Sequence, residues 1–490
     1  MSDQNSDPMT SGSKHPPRHK PYRIIYQSDS SGGLAAATDV NDYINGMVGF
    51  LDNTHVDALF WGDGAGGNTA NYQSDVLELS GERIGKINPF LQQLINEGND
   101  PPKIVIREAK KRGVDIFYSF RINDCHDSIN DGQWLPGHLA TFKTEHPEWM
   151  IGPGHPYGGP HQLNFAVPEV LDLKFAVIEE IFAKYDFDGL EIDFMRSAPH
   201  FIPGTEPDNA PILTDLLRRV RQHLIQRGNE RGRPIPLAVR VTETMEACRL
   251  DGFDLAAWVD QRLVDMIILG SGAIDIEVEV VKRVTEGTGI LVYPCLYGWP
   301  CHPPCNPISP EMVRALAVNF WHQGADGIYT FNWNAHSYMQ LPKEHQRFKH
   351  LLERLREIDD PQSLRGKDKQ FAAGRGRPTI YYPHNNMNCI LPVTLDAGQQ
   401  VDIPVMVGED FSPPPATKQI ELVIELNQPT DDPSISLTLN QTPLTNLRHD
   451  DAGLTSNLEP DQLTLGHNIV GISVGEGKVE VTAIEIRVSY

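Results

Sequence analysis

Residues 187–196 read FDGLEIDFMR, with three carboxylates, Asp188, Glu191 and Asp193, set among Phe187, Leu190, Ile192 and Phe194. A solvated segment would not spend so many apolar side chains. A purely structural buried strand would not carry so many acids, because an unpaired buried charge is expensive. On a β-strand side chains alternate, so Leu190, Ile192 and Phe194 share one face and Gly189, Glu191 and Asp193 the other. Asp193 then lies at the strand's exit and Glu191 about 7 Å deeper, given roughly 3.3 Å per residue. A carboxylate at the mouth of a site can serve as nucleophile or general base. Glu191 needs a partner, and Arg240 and Arg196 are the candidates. The alternative is that both acids only form buried ion pairs.

A second carboxylate is available in TETME (242–246), as Glu243 or Glu246, between which the spacing does not decide. RINDCHD (121–127) gathers Arg121, Asn123, Asp124 and His126 in one stretch, a hydrogen-bonding set suited to sugar hydroxyls or a charged group. Asp29, Trp299, Asn332 and Trp333 stand where other apolar runs end. Aromatics at such places offer platforms for the apolar faces of sugars, although Trp is as often a large core residue. Thus Glu191, Arg196, Arg121, Asn123, Asp124, His126, Asp29, Trp299, Asn332 and Trp333 are the candidate substrate-binding residues around the catalytic candidates Asp193, Glu243 and Glu246. CHPPC (301–305) supplies only one Cys pair where structural zinc takes four ligands, so neither a metal nor another cofactor is expected.

What must position these residues is a series of strands. RIIYQ (23–27), HVDALFWG (55–62), VDIFYSF (114–120), GLEIDF (189–194), PLAVRVT (236–242), VDMIILG (264–270), ILVYPC (290–295) and GIYTFNW (327–333) are nearly continuous apolar runs, as strands buried on both faces should be. Amphipathic helices lie between them. Leu171, Phe175, Ile178, Phe182 and Tyr185 mark one, and Leu213, Leu217, Val220 and Leu224 another, with Gly228 as its expected C-cap. Eight strands alternating with helices point to an α/β fold, a (β/α)₈ TIM barrel over residues 21–358, whose site lies at the C-terminal strand ends. An open doubly wound sheet is disfavoured because no G-x-G-x-x-G follows the first strand.

The 20 residues at the N-terminus are polar and read as a disordered arm, and residues 359–378, rich in Gly and Arg, as a linker. Over 379–490 the runs QIELVIEL (419–426), SISLTL (434–439), NIVGISV (468–474) and VTAIEIRV (481–488) alternate with period two, which predicts a small antiparallel β-sandwich. The formal charge of −23 argues against nucleic acid or an anionic membrane as partner, while leaving neutral polysaccharide open. No apolar run reaches the roughly 18 residues that span a bilayer. No signal-peptide core is visible at the start, so a cytoplasmic location is the expectation.

With the barrel and its fourth strand placed, the sequence resembles bacterial glycosyl hydrolase-like barrels, in particular the glycosyl hydrolase-like family ten group. The residues that carry the likeness are HPEW (146–149), LN and VPE (163–169), YDFDG (185–189), LEIDFMR (190–196), GFD and WV (252–259), LVD (263–265) and ADGIY (325–329). The resemblance implies a glycoside hydrolase acting on an oligo- or polysaccharide. Chitinase-like barrels carry D-G-x-D-x-D-x-E on strand four, and Met195 stands where their acid would be. Amylase-like barrels carry D-G-[FI]-R-x-D. By that likeness Asp193 takes the nucleophile position and a strand-five Glu the acid/base, while Glu191 stands where their Arg would be. A carboxyl separation of about 5–5.5 Å would give retention, and roughly 6.5–9.5 Å inversion. Asp193→Asn is expected to abolish turnover with the fold intact. The competing expectation is a carbohydrate-binding or scaffold protein on a degenerate barrel, its sandwich either binding glycan or packing passively.

Overall fold

The computed structural model describes residues 19–30, 33–127, 137–270, 272–298, 308–333, 349–376, 383–411, 419–427, 434–450 and 453–490. Eight parallel strands close into a barrel: β1 (Ile24–Ser28), β2 (Ala58–Trp61), β3 (Asp115–Arg121), β4 (Gly189–Asp193), β5 (Leu237–Val241), β6 (Met266–Leu269), β7 (Leu291–Tyr297) and β8 (Ile328–Phe331). Each strand pairs with the next, and β8 pairs back to β1 through Ile24–Ile328 and Ile25–Tyr329. All eight expected strands are present, shorter than the apolar runs at several ends.

Continuous apolarity follows from double burial. Leu190 and Ile192 pack outward against the helices, while Ile25, Ala58, Phe60, Phe117, Ala238 and Tyr329 belong to a separate cluster filling the lumen. Phe60 and Phe117 stack there at 4.3 Å. Gly189 faces that pair, and a Cβ on it would lie 2.2 Å from the Phe117 ring. The absence of a side chain on β4 makes room for the aromatic on β3.

The helix Pro168–Lys184 has Pro at its start, where a missing N–H costs nothing, but its buried face is Val170, Lys174, Val177, Ile178, Ile181 and Phe182, shifted from the expected one so that Leu171 and Phe175 are only half-buried. The helix Glu206–Arg231 runs past the expected stop. Gly228 lies inside it, close against the Arg233 carbonyl, and Gly232, at φ +69°, takes the left-handed capping position instead. No described helix is long and apolar enough to cross a membrane.

Past the barrel, antiparallel strands form two sheets of a sandwich-like region. The strands are β9 (Lys369–Ala372), β10 (Val393–Asp396), β11 (Gln400–Val407), β12 (Gln419–Asn427), β13 (Ile435–Leu439), β14 (Thr442–Pro443), β15 (Leu447–Asp450), β16 (Gly453–Asn457), β17 (Gly466–Val474) and β18 (Lys478–Ser489). One sheet runs β10–β18–β12–β16–β15 with β9 also on β18, the other β11–β17–β13–β14. The stretch read as a linker thus supplies a helical turn, Pro361–Leu364, and the strand β9.

Candidate functional site

Register brings the lumen acids to their partners. Across β3, β4 and β5, Ser119 lies beside Glu191, Arg121 beside Asp193, and Asp193 beside Arg240. Arg240 therefore goes to Asp193, not to Glu191. Its Nε donates to Oδ1 at 3.0 Å and its Nη2 to Oδ2 at 2.7 Å, with both side chains fully buried. The guanidinium lies 3.8 Å from the centre of the Phe331 ring, and the Arg196 N–H adds a bond to Asp193 Oδ1 at 3.0 Å. Glu191 is held by hydroxyls instead, accepting from Ser119 at 2.5 Å and Tyr329 at 2.7 Å. Burial pushes its carboxyl up to about 7, the charge of Asp193 adding to this and Arg240 opposing it. Neither Arg240 nor Arg196 is the partner of Glu191, because the side chain two residues nearer the mouth meets β5 at the level of Arg240.

The two strand-five candidates separate in space. Glu243 follows β5 and is 1% exposed. Its Oε1 accepts the Asn386 N–H at 2.5 Å, and its Oε2 is buried with no hydrogen-bond partner among the described residues. Burial pushes its carboxyl up to about 7, against the pull of that N–H and with the charges of Asp251 and Asp275 adding to the rise. Glu246 lies in the first turn of the helix Met245–Leu250, exposed and paired with Arg249 at 2.6 Å on the same helix.

A polar cleft of about 230 Å³ opens at the exits of β1, β2 and β3, lined by Asp29, Gly64, Asn68, Arg121, Asp124 and His126 among others. Arg121 donates to Asp29 at 3.1 Å. His126 Nδ1 faces Asp124 at 2.7 Å and its Nε2 meets a guanidinium nitrogen of Arg196. Arginine only donates, so Nε2 accepts and Nδ1 carries the proton toward Asp124. Burial works against the charge on Asp124, but His126, Arg196 and Arg121 together hold its carboxyl well below the ordinary range. Asn123 points elsewhere. It is fully buried, bonded to both main-chain groups of Leu163 and to the Pro199 carbonyl, and so pins two exit loops together.

At the other rim, Asn332 donates to the Tyr297 hydroxyl at 3.1 Å. Trp333 is buried, with its indole N–H on the Leu351 carbonyl at 2.8 Å. Trp299 and the CHPPC stretch lie outside the described residues. Among those described, no grouping of three or more His, Cys, Asp or Glu could hold a metal ion. Sequence reasoning missed Ser119 and Tyr329, which strand parity could have pointed to, and Asp63, whose carboxyl burial pushes up to about 6. It also missed His384 and Asn386, whose approach to β5 no local pattern signals.

Residues 40–211 match the model of a family described as Glycosyl hydrolase-like 10. That stretch contains the HPEW, YDFDG and LEIDFMR segments on which the resemblance rested. Over 131 residues the chain is 27% identical to Glycosyl hydrolase DigH of Escherichia coli strain K12, covering 26% of this chain and 28% of that protein. Glycosyl hydrolase DigH of Shigella flexneri matches to the same extent, so the aligned stretch spans little more than a quarter of these relatives' length. Among solved structures, the PgaB (BpsB) glycoside hydrolase domain from Bordetella bronchiseptica aligns with a TM-score of 0.44 at 13% identity, covering 69% of this chain and 99% of that one. Alpha-L-fucosidase isoenzyme 2 from Paenibacillus thiaminolyticus aligns at 0.43 and 13%, covering 72% and 51%. The sequence likeness thus covers residues 40–211, part of the barrel, and the sandwich-like sheets lie beyond it.

Proposed function

We propose that the chain hydrolyses a glycosidic bond of an oligo- or polysaccharide at the C-terminal mouth of its barrel, with Asp193 as nucleophile or charge stabiliser and Glu243 as proton donor. One observation carries this: two carboxylates at the exits of neighbouring strands stand in opposite environments. Asp193 is clamped by a guanidinium that donates to both of its oxygens. Glu243 is buried, and no cation among the described residues is paired with it, which favours its protonated form near neutral pH. Acid and base assignments in enzymes follow such divergence. Asp29, Arg121, Asp124, His126 and Arg196 would then meet sugar hydroxyls in the adjoining cleft, residues 21–358 forming the catalytic unit and 379–490 an accessory one.

The test is turnover of a glycoside panel by the wild type, Asp193→Asn and Glu243→Gln. Both variants should lose at least 10²-fold in kcat on natural glycans, as loss of a general acid usually does. Glu243→Gln should recover on aryl glycosides whose leaving group needs no proton. The wild-type rate should fall as pH rises through about 7, since only protonated Glu243 can donate. Wild-type turnover by Asp193→Asn would end the assignment.

A second reading has its own observation. Asp193 is wholly buried and both of its oxygens are occupied by Arg240, as in a structural ion pair. A carbohydrate-binding protein on a degenerate barrel would show glycan affinity in calorimetry with no turnover by any variant.

A further inference from the structure

The segment His384–Asn388, leading into the C-terminal sheets, is laid over the exits of β5 and β6. Its anchors are barrel carboxylates. His384 Nδ1 meets Asp251 at 2.6 Å, the Asn386 N–H meets Glu243 at 2.5 Å, and the Asn388 amide meets Glu277 at 3.4 Å. Just upstream, the Gly374 N–H donates to Asp275 at 2.8 Å, so close that a Cβ on Gly374 would lie 2.1 Å from that carboxylate. The barrel side is prepared for this. Asp251 also accepts the Thr242 hydroxyl at 2.5 Å, and Glu277 also accepts the Met245 N–H at 3.1 Å, so both anchors are fixed to the end of β5. Asn385 and Asn386 are themselves buried against the barrel, and Asn386 adopts φ +56° to present its N–H.

We propose that this segment is a positioning element of the active site: it covers Glu243, fixes one of its oxygens through the Asn386 main chain, and keeps it a proton donor, so that the acid site is complete only with the C-terminal sheets in place. The inference rests on the reading of Glu243 as the donor. It removes the sheets from the role of passive packing.

The direction follows from the groups that face Glu243. Asp251 and Asp275 act on it by their charge and Cys248 lies within its range; around them Glu246 and Arg249 pair on the helix Met245–Leu250, Glu277 meets Asn388, His384 meets Asp251 and Cys389 meets Asn386. Among the described residues, no cation but a protonated His384 stands near these groups, and it is bound to Asp251. Burial is therefore the largest influence on Glu243, and the Asn386 N–H pulls the other way. Lifting the segment removes the N–H bond and lets water reach the carboxyl, and the loss of burial is the larger of the two effects. Glu243 must then titrate at lower pH.

The experiment uses the full chain and reads Glu243 directly, by infrared difference spectroscopy of its carboxyl band, assigned by its loss in Glu243→Gln. The wild-type band should titrate near 7. In His384→Ala/Asn388→Ala, which releases two anchors, it should move toward the 4.5 of an ordinary glutamate, and the basic limb of the kcat profile should move with it. If the double variant does not fold, His384→Ala alone is read in the same way. A band whose titration does not change when the anchors are released overturns the inference. A band that moves as expected while Glu243→Gln hydrolyses glycans normally supports the positioning and overturns only the hydrolase assignment.

Discussion

Asp193 cannot be altered without consequence for Arg240. Both are fully buried, and Arg240 spends its Nε and Nη2 on this one carboxylate. Breaking a buried pair by removing one partner leaves an uncompensated charge and costs about 3–5 kcal/mol, whereas replacing both by apolar groups is often neutral. The expectation that Asp193→Asn leaves the fold intact is therefore revised. The variant should lose activity and also about 3 kcal/mol of stability, since its amide still accepts hydrogen bonds but carries no charge. Adding Arg240→Met should restore most of the stability and none of the activity. Urea unfolding of the two variants, set against turnover, separates the structural role from the chemical one. Wild-type stability in Asp193→Asn would mean that the pair is solvated.

At the scale of the element, β4 works because one of its three inward positions is empty. Gly189 leaves the space that the Phe117 ring occupies, with a virtual Cβ 2.2 Å from it. Gly189→Ala should overpack the lumen and cost about 1–3 kcal/mol. Phe117→Leu in the same chain should relieve part of that cost, a coupling that a double-mutant cycle in thermal unfolding would measure. The eight barrel strands were legible because strands buried on both faces must be apolar throughout, and VDIFYSF or PLAVRVT leave no other assignment. β12 and β18 were legible from strict alternation, whereas β11, interrupted by Pro404, and the short β9, β10 and β15 lack that signal. Spacing within β4 located Glu191 and Asp193 on the inner face, but which of them meets Arg240 depends on the register between β4 and β5. One strand's sequence does not contain that information.

The whole molecule is held together along a seam between the barrel and the sheets, and the site depends on that seam. Asn319, buried on the helix Pro310–His322, reads the edge of β11 as another strand would. Its Oδ1 accepts the Gly408 N–H at 2.7 Å and its Nδ2 donates to the Met406 carbonyl at 3.1 Å. Gly408 permits this closeness, since a Cβ there would lie 2.5 Å from the Val318 carbonyl. Nearby, buried Lys369 of β9 pairs with Glu409 at 3.0 Å and donates to the Leu364 and Lys367 carbonyls. Asn319→Leu keeps the volume but leaves the part-buried Met406 C=O and Gly408 N–H without this partner, at about 1–2 kcal/mol each. We expect the variant to lose about 2–4 kcal/mol in urea unfolding. Hydrogen exchange should rise first in β11 and in residues 383–389, because that segment enters the mouth from the seam. The infrared band of Glu243 should move down in pH as well, although the hydrogen bonds of Asn319 go to Met406 and Gly408 and not to the site. Exchange confined to β11, with the Glu243 titration unmoved, would mean that the seam holds the sheets without holding the acid.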